Sequence, residues 1–225
     1  MFAINHAATA LLLKKRFDSA PMVWLLISVQ LVELLWVLLN YLGIEQTTTE
    51  QAVRYVGDIH LSFMPYSHSV VTMIGIGVLA WLVIAYGFKK PVIGTAVGLG
   101  IVSHLVLDLL THTQDMPLTV GEGSVKLGIG LYSTFPAGAF VFETAYGVFC
   151  WWVYKGSRRL LATILVFNLA NLSMFFTGIA GPETLLAGKP MLITSLILGQ
   201  IIITLALVGH FSRKRSPAAS AVGRS

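Results

Sequence analysis

Apolar positions along this chain gather in long blocks separated by short polar connections. A helix needs roughly 20 apolar residues to cross about 30 Å of hydrocarbon. Blocks of that size lie at residues 22–42, 67–87, 91–110, 135–154, 160–177 and 190–210, predicting six transmembrane helices. An earlier apolar stretch, residues 2–13, is shorter than a span and is followed, not preceded, by the basic cluster Lys14, Lys15 and Arg16. That polarity is wrong for a cleaved secretory signal. The segment reads as a retained half-length helix that enters the membrane and carries His6. The expected fold is therefore all-α: a polytopic membrane helix bundle, six transmembrane helices plus an N-terminal half-length helix. Residues 1–211 form one membrane domain, and residues 212–225 a basic, disordered cytoplasmic tail.

Composition agrees with a bilayer as the main partner. Hydrophobic residues make up 56% of the 225, charged residues 11%, and the mean hydropathy is +0.79, whereas soluble domains carry about 25% charged residues. The single cysteine, Cys150, lies inside the fourth block, which excludes a disulfide framework and a cysteine-type metal site. A net charge of +5 invites a nucleic-acid reading, but the basic residues sit in short loops and act better as topology signals. With six alternating spans, Lys14, Lys15, Arg16, Lys89, Lys90, Lys155, Arg158, Arg159, Arg213, Lys214, Arg215 and Arg224 share one side, 12 of the 15 basic residues. Arg54, Lys126 and Lys189 fall on the other. The positive-inside rule makes the first side cytoplasmic, so a multi-pass cell-membrane protein with its C-terminus inside is expected. The outer loops hold Glu45, Glu50, Asp58, Asp115, Glu122 and Glu183, and residues 121–130 form a glycine-rich outer connection. The run GTAVG, residues 94–98, fits close helix packing in the third span.

Against this background the stretch SHLVLDLLTH, residues 103–112, is unusual. His104, Asp108 and His112 are spaced four apart, so all three share one helix face. On the expected topology they lie in the outer half of the third span. His68 sits about one turn below the outer surface, His6 near the outer end of the half-helix, and Asp58 and His60 in the loop before His68. Glu33 falls near the middle of the first span and Glu143 roughly two turns into the fourth. Five of the six histidines, all but His210, thus belong to the outer half. Intramembrane carboxylates are costly and usually have partners. Imidazole and carboxylate groups at one depth suggest a shared divalent cation, zinc first, with manganese or iron also fitting. Plainer roles exist for each: an Asp108–His104 hydrogen bond, interfacial positions for His60 and His112, and pairing of Glu143 with Asn168 or Asn171.

The series NHAATALLLKKRF, a carboxylate in the next helix, YSHS opening a span, and SHLVLDLLTH followed by DMPL resembles a family of membrane-bound metal-dependent hydrolases of bacterial inner membranes. That family's pattern is an N-terminal His, an acidic motif, a T/S-H-S motif and an S-H-x-x-x-D motif. The resemblance covers roughly residues 1–130. It implies His6, His68, His104 and Asp108 as metal ligands, with Glu33 at the place of the acidic motif. The family's usual pair of aspartates is replaced here by the lone Glu33, and Pro65 and Tyr66 stand where an arginine often precedes the T/S-H-S motif.

The expected function is metal-dependent hydrolysis of an amphiphilic ester or phosphoester from the outer face. Glu33, Asp58 or Glu143 would take a proton from the metal-bound water. His60, His112, Arg54 and Lys126 are candidate contacts to a lipid-like substrate. The competing hypotheses are a proton or metal transporter lined by Glu33, Glu143, Asn168 and Asn171, and a non-catalytic relative that keeps the metal. A transport path needs polar residues continuing to the cytoplasm, and apart from the two asparagines few are present.

Overall fold

The computed structural model describes residues 1–213; the expected tail lies, from residue 214 on, outside the described residues. The chain is mostly helical. In order it forms α1 (Ala3–Arg16), α2 (Met22–Tyr41), α3 (Val70–Leu82), α4 (Pro91–Thr111), the short α5 (Leu131–Thr134), α6 (Pro136–Tyr154), α7 (Arg158–Ala170) and α8 (Pro190–Phe211). Two small antiparallel pairs decorate the connections: β1 (Gln46–Thr49) with β2 (Ile59–Phe63), and β3 (Met116–Pro117) with β4 (Lys126–Leu127). The all-α expectation omitted these pairs, which are too short to leave a periodic signal.

Local sequence accounts for several boundaries. Pro91, Pro136 and Pro190 open α4, α6 and α8, where a missing N–H and a preset φ suit the first turn. Ser69 and Ser157 cap α3 and α7, their Oγ atoms accepting from Thr72 N and Leu160 N at 3.2 Å each. At Lys155 a left-handed conformation, φ 56°, stops α6.

Among the described residues, four helices are long and apolar enough to cross a membrane: Met22–Tyr41, Val70–Gly87, which is α3 with the π-helical turn Val83–Gly87 that continues it, Pro91–Thr111 and Pro190–Phe211. The other two expected spans differ. Helix α6 has the length, but Glu143, Thr144, Gly147 and its tyrosines dilute its apolar content. The expected span over residues 160–177 is the 13-residue α7, and beyond Ala170 the chain turns through irregular structure to α8.

The centre of the bundle is α1. It packs against α2, α4, α6, α7 and α8, and Ala7, Ala8, Ala10 and Leu11 are all 0% exposed. Small side chains let the surrounding helices approach closely, the usual basis of helix association in lipid. Glycine does the same elsewhere: a Cβ on Gly98 would stand 3.1 Å from the Gly77 carbonyl oxygen, and one on Gly94 would stand 3.0 Å from that of Trp81. GTAVG therefore marks the close contact of α4 with α3.

The ends of the helices gather basic residues at one pole. Tyr154 donates to the Ser212 carbonyl at 2.7 Å, Ser157 to that of Phe211 at 3.3 Å, and Lys14 to that of Ala20 at 2.9 Å. Lys14, Lys15, Arg16, Lys155, Arg158, Arg159 and Arg213 thus flank one set of connections. The two strand pairs occupy the opposite pole.

Candidate metal centre

Four elements converge on one point beneath the strand-bearing pole. Helix α4 supplies His104 and Asp108 one turn apart, α1 supplies His6, and α2 supplies Glu33. His68 comes from the residue before the Ser69 cap of α3, so the cap that starts the helix also fixes the imidazole. His6 Nε2 lies 3.1 Å from Asp108 Oδ1, and His104 Nε2 lies 3.0 Å from Asp108 Oδ2. His68 Nε2 is 3.1 Å from Glu33 Oε2 and 3.9 Å from Asp108 Oδ2, while His104 Nε2 is 3.7 Å from Glu33 Oε2. Two ligands of one tetrahedral zinc, each about 2.0–2.2 Å from the ion, stand roughly 3.3–3.6 Å apart. Among the described residues, two overlapping groups bring their ligand atoms within 4.8 Å of one another and could hold a metal ion: His6, His104 and Asp108, and Glu33, His68 and His104. The rings of His6 and His104 stack at 3.8 Å. His6, His68, His104 and Asp108 are each 1% exposed or less.

Proton accounting sharpens the picture. A carbonyl can only accept, so His104 Nδ1–H donates to Val29 O at 2.9 Å. Ser67 Oγ donates to Glu45 Oε2 at 2.6 Å and therefore accepts from His68 Nδ1–H at 2.7 Å. Both imidazoles are thus tied through Nδ1 and turn Nε2 toward carboxylate oxygens. His104 Nε2 has no hydrogen-bond partner there. A lone pair facing carboxylates is repulsive unless a cation, proton or metal, lies between them. An imidazole whose second nitrogen is held by a carbonyl or carboxylate relay is a typical metal-ligand arrangement.

The remaining candidates lie elsewhere. Glu143, 0% exposed, is occupied by α1: its Oε2 accepts from Phe2 N at 3.0 Å and Asn5 Nδ2 at 2.7 Å, and its Oε1 accepts from the Tyr132 hydroxyl. Asn5 also donates to Asn168 Oδ1 at 3.0 Å, so it stands between Glu143 and the asparagine considered as its partner. Asn171 instead accepts from Gln200 at 3.0 Å. Asp58 accepts from Arg54 N at 2.8 Å and pairs with the Arg54 guanidinium, and His60 pairs with Glu50 at 2.8 Å across the β1–β2 hairpin. Lys126 is exposed in β4. His112 flanks the centre, its Nε2 3.9 Å from Asp108 Oδ1 and its Nδ1 3.4 Å from Asp115 Oδ1. Burial pushes the Asp115 carboxyl up, but the positive His112 beside it outweighs burial and holds it below the usual carboxylate range. Sequence reasoning missed Asn5, Glu45, Ser67 and Tyr132 as parts of this architecture. Asn5 precedes His6 and Ser67 precedes His68, which is the signal available for those two.

A cavity of about 220 Å³ opens beside the centre. Glu33, His112 and Asp115 border it, Trp36 of α2 and Ile193, Leu196 and Ile197 of α8 form an apolar wall, and Ile59 and Leu61 of β2 cover it. Glu33 lines this cavity; Asp58 and Glu143 are not among its lining residues.

No family model, curated protein or solved structure matches the chain. The functional reading therefore rests on the site's own chemistry. The buried groups described could hold a metal ion next to this cavity, which is lined in part by residues of the strand-bearing pole.

Proposed function

We propose that the protein is a membrane-embedded metal-dependent hydrolase acting on an amphiphilic ester or phosphoester from the outer face of the cell inner membrane. The observation that carries this reading is the pair His68 and His104, tied outward through Nδ1 and turning Nε2 toward Glu33 and Asp108 beside an apolar cavity. His6, His68, His104 and Asp108 would hold the ion, zinc first by ligand type, with manganese or iron the other fitting metals. A divalent ion held there would supply Lewis acidity and activate a water. Glu33, on the cavity wall, would take the proton from the attacking water. The wall of Trp36, Ile193 and Ile197 accommodates the apolar part of the substrate, and Ile59 and Leu61 limit bulk water from above.

Toward the basic pole the bundle is filled by Ala7, Ala8, Leu11, Leu25, Val29 and Ala96 in one apolar cluster. That closed floor favours an enzyme over a transport path. Six membrane crossings are proposed, the four long apolar helices together with α6 and α7, with the basic pole cytoplasmic. The membership in the membrane-bound metal-dependent hydrolases suggested by the motif order is part of the same proposal.

Metal analysis of protein purified without added metal, combined with a phosphoester and lipid-ester activity panel, tests the reading. Wild type is expected to carry a divalent ion, His104→Ala and Asp108→Ala to lose it, and His210→Ala, in the last turn of α8, to retain it. Wild type with no metal and no thermal shift on adding zinc, manganese or iron overturns the site; metal without turnover across the panel overturns the hydrolase.

A further inference from the structure

We propose that the cavity beside the metal centre takes a zwitterionic amphiphile, with its primary ammonium group on Glu183 and its ester or phosphoester at the metal centre. This names the substrate class of the hydrolase reading and rests on it.

The argument starts from the charges on the cavity wall. Its lining includes three carboxylates, Glu33, Asp115 and Glu183, and among the described residues that line it there is no lysine or arginine. Two of the carboxylates have an imidazole beside them, Glu33 that of His68 at 3.1 Å and Asp115 that of His112 at 3.4 Å, although Asp115 Oδ1 also lacks a hydrogen-bond donor. Among the described residues Glu183 has no basic side chain beside it. It is 2% exposed, its Oε2 accepts from the Ser173 hydroxyl at 2.8 Å, and its Oε1 has no hydrogen-bond partner. A buried carboxylate oxygen without a donor is an expensive arrangement in an isolated fold, and a ligand that brings an N–H resolves it.

A second unpartnered atom on the same wall is of the opposite type. Trp36, 1% exposed, has an indole Nε1–H with no acceptor. An indole N–H can only donate, so it suits a phosphate or ester oxygen. A free acceptor with no basic side chain beside it and a free donor on one wall fit a head group that carries both a cation with N–H bonds and an anionic or ester oxygen. A primary ammonium offers three N–H donors, whereas a quaternary ammonium offers none. The lack of a lysine or arginine in the lining argues against a phosphate monoester recognised by those side chains, and leaves the metal centre, with His112 beside it, as the anion-binding end. The apolar part of the ligand follows Ile193, Ile197 and Leu196, and Leu196 is itself 48% exposed on the outer surface of α8, so the wall runs on into the lipid-facing surface.

Native mass spectrometry of the full chain in detergent reads metal content, bound lipid and product in one spectrum. The probes are lysophosphatidylethanolamine, lysophosphatidylcholine and lysophosphatidylglycerol, with glycerophosphoethanolamine as the soluble head group alone. Wild type is expected to bind the ethanolamine lipid at least tenfold more tightly than the other two, and more tightly than the free head group. Glu183→Gln is expected to bring the three lipids within about threefold of one another while metal content stays unchanged. Should that variant fail to fold, the wild-type ranking alone decides. Equal binding of the three lipids by wild type, or a preference retained in Glu183→Gln, overturns the inference, including where the metal is present and a lipid is turned over, which leaves the hydrolase standing. An ethanolamine preference with no product from any lipid has the opposite meaning: the ammonium site stands and the hydrolase falls.

Discussion

Glu45 reaches the candidate metal centre through a single hydroxyl. It is 2% exposed and accepts from Tyr66 N at 2.9 Å, Ser67 N at 2.8 Å and Ser67 Oγ at 2.6 Å, and that Oγ in turn accepts from His68. Such relays orient the ring and raise the basicity of the ligating nitrogen, and their loss typically lowers metal affinity by about 10–100-fold. Ser67→Ala is therefore expected to weaken metal binding by roughly that factor in a chelator competition, with Ser67→Thr keeping most of it; unchanged affinity in Ser67→Ala would show that His68 is oriented by something else. The face shared by His104 and Asp108 was legible from their four-residue spacing, and the motif order added His6, His68 and Glu33. Glu45 was not legible, because it lies in a connection 22 residues from Ser67 and no local pattern marks a contact at that separation. Glu143 shows the same limit: its carboxylate is satisfied by Asn5, 138 residues away, so its depth in α6 indicated a polar partner without saying which.

Among the elements, α1 has the least ordinary position. Fourteen residues rise about 21 Å, short of the hydrocarbon thickness, yet it is enclosed by five other helices. Gly147 of α6 faces it closely: a Cβ there would lie 2.8 Å from Asn5 Oδ1 of α1 and 2.8 Å from Ile164 Cγ2 of α7. Gly147→Leu is expected to push α1 away from α6, lowering stability by about 1–3 kcal/mol and reducing metal content by displacing His6. Gly75→Leu, where an added Cβ meets nothing within 4 Å, is the control that should change neither. Melting temperature and metal stoichiometry of the two variants decide; equal behaviour would mean that α1 adapts without moving the centre. The long apolar helices were legible because their blocks are nearly pure. The shorter α7 was not, since apolar residues run past Ala170 while Asn171 and Ser173 take part in hydrogen bonds that end the helix. The enclosure of α1 was also hidden, because an alanine-rich segment looks the same whether it lies at a surface or at the middle of a bundle.

For the whole molecule, charge asymmetry gives a direct test of orientation. With the basic pole cytoplasmic, a cysteine at Ser124 should react with an impermeant maleimide in intact cells and one at Ser220 should react only after lysis. The native Cys150 is 0% exposed and contributes little background. Labelling at Ser220 with protection of Ser124 would invert the orientation. The enclosure of α1 also bears on biogenesis. All of His6, Glu33, His68, His104 and Asp108 are synthesised before the chain reaches residue 109, yet three of the helices that hold α1 in place, α6, α7 and α8, emerge from the ribosome later. A nascent chain halted at α4 already owns every candidate ligand and the contacts of α1 with α2 and α4, but the side of α1 that α6, α7 and α8 later cover is still bare. The order of synthesis thus supplies the candidate ligands first and the enclosure around them last.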